Sequence, residues 1–193
     1  MPNLVVLFGP PASGKAAVDH ELATLTGYRF FHNHLTADPA AALFGWGGDR
    51  FGRMVDALRE VLFREAATDS SIPGVVFTFA WGLNLPDDTV FMKRTSQLFM
   101  DGGGKVFFVE LQASLEVRIA REGTPFRVGL KPELRDAEAA RSRQLEYDGK
   151  YTMNTNGSIP LSFPHLIINT EAMTPQAAAN EIKRVFVLPK RDA

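Results

Sequence analysis

Short apolar runs alternate with amphipathic segments along this chain of 193 residues. Five runs read as strands: NLVVLF (3–8), YRFF (28–31), GVVFTFAW (74–81), KVFFVEL (105–111) and HLIIN (165–169). Most are apolar without interruption, the pattern of strands covered on both faces of a parallel sheet. Between them apolar residues recur at helical spacing. Val18, Leu22 and Leu25 share one face, as do Phe51, Val55, Leu58 and Leu62; later come Phe91, Thr95 and Leu98, then Ile182, Val185 and Phe186. Thr174-Pro175 supplies an N-cap and a proline at the first helical position. This alternation predicts a parallel α/β sheet with right-handed crossovers. Ligands then sit beyond the carboxyl ends of the strands, so motifs directly after strands carry the most weight.

Residues 112–160 break the rhythm. A helical pattern around Leu115–Arg121 gives way to GTPFRVGLKP, then to a charged helix over roughly 134–150 and a long polar loop, TMNTNGSIPLSFP. Gly123, Pro125, Gly129 and Pro132 punctuate an arginine-bearing excursion, which reads either as a surface insertion or as a lid over a phosphate site.

Composition acts mainly by exclusion. The length suits one domain, and 45% hydrophobic with 22% charged residues is ordinary for a globular protein. A formal charge of -1 argues against a broad face tracking a nucleic-acid backbone. The absence of cysteine removes disulfides, zinc-thiolate sites and cysteine nucleophiles. No apolar run reaches the ~18 residues of a membrane span. MPNLVVLFG lacks the basic start of a signal peptide. A cytoplasmic protein of one domain, 1–193, is the expectation, as monomer or homodimer, without nucleic-acid or membrane partners.

The first strand runs straight into GPPASGK, Gly9 to Lys15, followed by Ala16 and Ala17. Glycines and lysine match the spacing G-x-x-x-x-G-K-[ST], and the motif stands where it belongs, after a strand and before a helix. Backbone N–H groups of such a loop converge on phosphate oxygens, the helix start adds its dipole, and Lys15 reaches the terminal phosphates. Pro10, Pro11, Ala12 and Ser13 complete the loop. Ala16 replaces the hydroxyl that normally sits on Mg²⁺. The cradle survives that change better than the metal site does, because Mg²⁺ keeps several waters and can lean on the phosphates.

FFHNHLTAD follows the second strand and brings His32, Asn33 and His34 to a strand end. The letters do not make an HNH nuclease, whose residues spread over a longer ββα-metal unit with basic surface. At this point the chain resembles the shikimate kinase-like branch of small P-loop kinases. Gly27-Tyr28-Arg29-Phe30-Phe31-His32-Asn33-His34 aligns with that family's G-x-P-F-I-D-x-D, with both aspartates replaced by histidine. Gly82 stands where the family has a glycine run contacting substrate, although Phe79, Ala80 and Trp81 replace the rest. Arg121 and Arg127 match lid arginines, Arg143-x-x-x-Tyr147 a substrate-binding helix motif, and Asn169-Thr170 the loop beside the adenine. Asp49-Arg50-Phe51-x-Arg53 loosely resembles a helix start that contributes a substrate arginine. FHNHLT itself is similar to a group of uncharacterised ATP-binding relatives.

The resemblance implies a three-layer αβα P-loop NTPase fold with a central five-stranded parallel sheet and a helical lid at about 122–133. It implies ATP with Mg²⁺, and a kinase passing the γ-phosphoryl to a hydroxylated metabolite or antibiotic-like acceptor. Lys15, His34 and Arg127 are the expected catalytic residues. Gly9, Pro10, Pro11, Ala12, Ser13, Gly14, Lys15, Ala16, Ala17, Arg121, Asn169 and Thr170 would hold the nucleotide. His32, Asn33, His34, Arg53, Trp81, Gly82 and Arg143 would hold the acceptor. Histidine accepts protons near neutrality, which suits His34 to the acceptor hydroxyl. It suits His32 poorly to the hydration shell of a hard cation; Asp38 is the nearest carboxylate. Two alternatives stay open: a nucleotide-binding sensor or regulatory protein with a degenerate loop, and a nucleoside or nucleotide kinase.

Overall fold

The computed structural model describes residues 1–121 and 137–190, with the backbone alone at 137, 140 and 143. The expected lid at 122–133, with Arg127, lies outside the described residues. Among the described residues the elements run in chain order: β1 (Asn3–Phe8), α1 (Lys15–Thr26), β2 (Arg29–His32), α2 (His34–Phe44), α3 (Gly48–Thr68), β3 (Gly74–Phe79), α4 (Pro86–Asp101), β4 (Val106–Gln112), α5 (Leu115–Arg121), α6 (Ala137–Lys150), β5 (His165–Asn169) and α7 (Pro175–Val185).

The five strands form one sheet in the order β2-β3-β1-β4-β5, every pair parallel. β1 is central, so the loop leaving it emerges at the middle of the carboxyl edge. Alternation splits each strand between two layers. Val5, Leu7, Val76, Val109 and Leu111 pack with Val18 and Leu22 of α1 and Ile182 of α7. Leu4, Val6, Phe8, Phe77 and Phe108 pack with Phe63 of α3 and with Met92 and Phe99 of α4. This is the three-layer architecture that the apolar runs imply.

Local detail differs in places, and β2 and β4 each begin and end one residue later than their apolar runs. GVVFTFAW leaves the sheet after Phe79, so Ala80 and Trp81 belong to the following loop. β2 lies at the sheet edge and exposes Phe30. In α3 the buried face is Val55, Arg59, Phe63 and Ala67, while Leu58 and Leu62 face outward. An apolar repeat marked the helix but not which of its two apolar faces meets the core. At the chain's end, Thr174 Oγ1 accepts from Ala177 N at 3.1 Å and caps α7 as its sequence suggests.

The polar loop after α6 is fastened rather than loose. Leu83 N donates to Thr152 O (2.7 Å), Asn84 Nδ2 to Lys150 O (3.0 Å) and Thr152 N to Asn84 Oδ1 (2.9 Å). Glu110 of β4, wholly buried, accepts from Thr155 N (2.8 Å), Asn154 Nδ2 (3.0 Å), Gln112 Nε2 (2.7 Å) and the Thr155 hydroxyl. A buried carboxylate needs such a set of donors to offset its lost hydration.

Candidate functional site

Gly9–Lys15 joins the end of β1 to the start of α1. Gly9 has φ +134, and a Cβ there would stand 2.3 Å from the carbonyl oxygen of Leu111, so the close passage of β4 admits only glycine. Gly14 is left-handed and serves as the N-cap of α1, with no side chain capping the helix start. Gly14 O accepts from Ala17 N and Val18 N, both at 3.1 Å, and closes the first turn; a helix start of this kind lends its backbone N–H groups and dipole to anion binding. Ala12 is also left-handed, at φ 60, a conformation that costs a residue with a Cβ. Lys15 Nζ lies 2.6 Å from Gly9 O and 2.7 Å from Pro10 O, placing the ammonium across the loop.

Two further nucleotide candidates converge here. Arg121, at the end of α5, donates to Ala12 O (3.2 Å), Thr170 Oγ1 (3.1 Å) and Thr170 O (2.8 Å). Thr170 Oγ1 lies 2.9 Å from Ser13 O and 3.1 Å from Gln112 O, tying the loop to β4. Asn169 instead turns its side-chain oxygen to Glu171 N at 2.9 Å.

The loop fits a polyphosphate; the donor set for a metal does not fit. Ala16 brings a methyl group, and His32 an imidazole, a poor partner for a hard cation. Ser13 Oγ is wholly buried without a hydrogen-bond partner, 3.2 Å from where a Gly9 Cβ would be. Among the described residues, no group of three or more His, Cys, Asp or Glu could hold a metal ion. Among the described residues, side chains therefore offer Mg²⁺ no ligand set of the usual kind.

Around the HNH turn the two histidine rings stay close, with centroids 6.4 Å apart, while Asn33 turns away from them. His34 Nδ1 lies 2.7 Å from Asp38 Oδ1, one helical turn along α2. With the carboxylate ionised, Nδ1 carries the proton and Nε2 becomes the ring's acceptor. The His34 ring meets Trp46 edge-on at 5.8 Å, and Trp46 lies 5.4 Å from Phe51. His32 stacks on Phe30 at 5.9 Å along the sheet edge. Asn33 faces α3, where its side-chain oxygen accepts from Arg59 Nη2.

Arg59 is the residue that sequence reasoning missed. Its side chain is only 8% exposed, with Nε 3.3 Å from Thr36 Oγ1 and Nη1 3.9 Å from Asp56. Its guanidinium lies 5.5 Å from the Phe79 ring and 5.1 Å from the Phe91 ring. Burial pushes its pKa down to about 10, against the pull of Asp56 and Asp88. Asp88, itself raised by burial, accepts from Gly82 N at 2.8 Å. Arg59 thus links the ends of β2 and β3 through one cation. Its spacing from Val55 and Phe63 was the available signal: an arginine on the line of the core face.

Other candidates fall elsewhere. Trp81 is wholly buried, against Phe8 at 5.2 Å and Phe108 at 5.7 Å, and donates to Thr89 Oγ1 at 3.2 Å. It is core, not a wall open to a ligand. Arg53 is exposed on α3. Gly82 keeps its expected place after β3, where a Cβ would press on Leu85 at 2.9 Å. Arg143 lies in α6, with its backbone alone described. A separate groove of about 510 Å³, lined partly by His20, Tyr28, Arg29 and Lys190, opens at the amino ends of β2 and β3, away from the loop.

No family model matches the chain, and no curated protein matches it in sequence. Solved structures match over nearly all of it. A sugar kinase from Janibacter sp. is 16% identical over 97% of this chain and 96% of its own, with a TM-score of 0.60. The tunicamycin resistance protein of Deinococcus radiodurans is 20% identical over the full length of both chains, at 0.57. A shikimate kinase from Bacteroides thetaiotaomicron is 16% identical over 96% and 99%, at 0.55. The fold is that of the P-loop kinases, shikimate kinase-like proteins among them. Among the described residues no helix is long and apolar enough to cross a membrane.

Proposed function

We propose that this protein is a small-molecule kinase that transfers the γ-phosphoryl of ATP to an acceptor hydroxyl. The observation that carries the reading is the loop: a glycine forced by β4, an uncapped helix start and a lysine lying across the concavity. The company of sugar and shikimate kinases supports it. ATP supplies the transferable phosphoryl group. Loop N–H groups and Lys15 bind its phosphates, and Arg121 with Thr170 braces the loop from the side. His34, oriented by Asp38, accepts the acceptor's hydroxyl proton at Nε2. Arg59 holds Asn33, and with it the turn carrying His34. No step is assigned to Mg²⁺, because the described side chains include no set that would seat it; a metal would arrive on the nucleotide with its own waters. Arg127 and Arg143 remain proposed for the phosphates and the acceptor.

The second reading, a nucleotide-binding regulator with little transfer, is favoured by the joint loss of the loop hydroxyl at Ala16 and the carboxylate at His32. A screen of hydroxylated acceptors with wild type, Lys15→Ala and Ala16→Ser separates the two. The kinase reading expects ATP-dependent phosphorylation of at least one acceptor, lost in Lys15→Ala and raised in Ala16→Ser. Tight nucleotide binding with no phosphorylated product, even in Ala16→Ser, supports the regulator.

A further inference from the structure

Helix α3 carries a second apolar face, turned away from the core. Met54 (39% exposed), Leu58 (41%), Val61 (62%) and Leu62 (46%) form it, opposite the buried Val55, Arg59 and Phe63. Solvated helices normally present charge there. Arg50 stands at one end of this stripe and Glu65 at the other, both exposed. They lie fifteen residues apart, about 22 Å along the helix at ~1.5 Å per residue. Neither makes an ion pair among the described residues, Arg50 resting only over the Phe44 ring at 5.8 Å.

The order of the stripe is cation, Met54, Leu58, Val61, anion. Read from the other end, it is its own complement. Turning a second α3 antiparallel about a point between Ala57 and Leu58 sets Arg50 against Glu65 and Met54 against Val61, at both ends at once. A two-fold contact requires this property, since one patch must complement itself. We infer that the outer face of α3 is a homodimer interface, in which two copies of this chain pack their α3 helices antiparallel. Charge complementarity commits the face to a second copy: a different partner would have no reason to meet a stripe whose charges mirror its own. Leu43 and Trp46, exposed at 78% and 65%, extend the apolar surface beside the start of α3. Because Trp46 contacts the His34 ring, a second copy there also braces the corner carrying the proposed acceptor site.

Sedimentation equilibrium of the full chain tests this, with wild type, Val61→Asp, Arg50→Glu, Glu65→Arg and the double exchange Arg50→Glu/Glu65→Arg. All the positions are exposed, and circular dichroism with a melting curve confirms that each variant is folded. The expected result is a wild-type dimer, a dissociation constant raised at least tenfold by each single change, and recovery to within about threefold of wild type in the double exchange. A wild type that stays monomeric at 100 µM overturns the inference, as does a dimer indifferent to Val61→Asp. Binding of this face to another protein or to lipid vesicles by a monomeric wild type overturns it too. Single changes that dissociate the dimer without recovery in the double exchange refute the antiparallel register.

Discussion

The ammonium of Lys15 lies 2.6 Å from the carbonyl oxygen of Gly9 and 2.7 Å from that of Pro10, so the loop's own cation spans the space it encloses. Carbonyl oxygens are neutral acceptors. Phosphate oxygens form stronger, charge-assisted bonds with the same ammonium. On the proposed reading, a nucleotide would displace these two loop contacts and offer the ammonium stronger ones.

Gly9 should be irreplaceable. A methyl group there meets Leu111 O at 2.3 Å, at a φ that side chains rarely adopt. Gly9→Ala is expected to cost about 2–4 kcal/mol from combined backbone strain and overpacking, read as a lower urea midpoint. Unchanged stability would show that β4 and the loop separate more easily than their contact suggests.

Arg59 and Asn33 should act as a unit. Arg59→Met removes a buried cation with its bonds to Asn33 and Thr36, and is expected to cost about 2–3 kcal/mol. Asn33→Ala in the same background should then cost at least about 1 kcal/mol less than in wild type. Strict additivity in the double-mutant cycle would mean that Arg59 does not hold the turn.

Asp19 lies one helical turn beyond Lys15, almost wholly buried, with one carboxyl oxygen unpartnered. Burial raises its pKa well above the ordinary carboxylate value. The folded state then holds a proton that the unfolded chain releases, so stability falls as pH rises from about 4 toward the folded pKa. Asp19→Asn lacks this titration. Its stability relative to wild type should grow over that window and level off above it, measured by denaturation from pH 4 to 8. A constant difference would place the carboxyl in contact with water.

Glu110 should govern the loop after α6. It accepts from Asn154, the Thr155 backbone and Gln112 while wholly buried. Glu110→Ala leaves several of those donors without an acceptor, and is expected to cost about 3 kcal/mol. Amide exchange should accelerate first at residues 152–157. Loss of protection spread evenly over the sheet would instead make Glu110 a general core residue.

Much of this architecture was legible in the sequence. Uninterrupted apolar runs announced a sheet covered on both faces, and GPPASGK after the first of them located the loop. β3 ends two residues before its run, because apolar character continues past the last ladder bond at Ala80 and Trp81, whereas β2 and β4 each pair one residue further than their runs, at His32 and Gln112. α3 was harder, because two apolar faces share its helical period and only packing decides between them. Arg59 was hidden for the same reason, a cation on the inner face that gains Asn33 and two aromatic rings only once the strand ends meet. Trp81 shows the converse. Its place just after a strand end suggested a pocket wall, yet it is wholly buried against Phe8 and Phe108.

Titration calorimetry with ATP tests the central claim most directly, using wild type and Lys15→Ala in the presence of Mg²⁺ and again in EDTA. The account predicts wild-type binding under both conditions, since the loop and not a protein-held metal makes the site, and a loss of at least tenfold in Lys15→Ala. No heat of binding from wild type at millimolar ATP under either condition would contradict it.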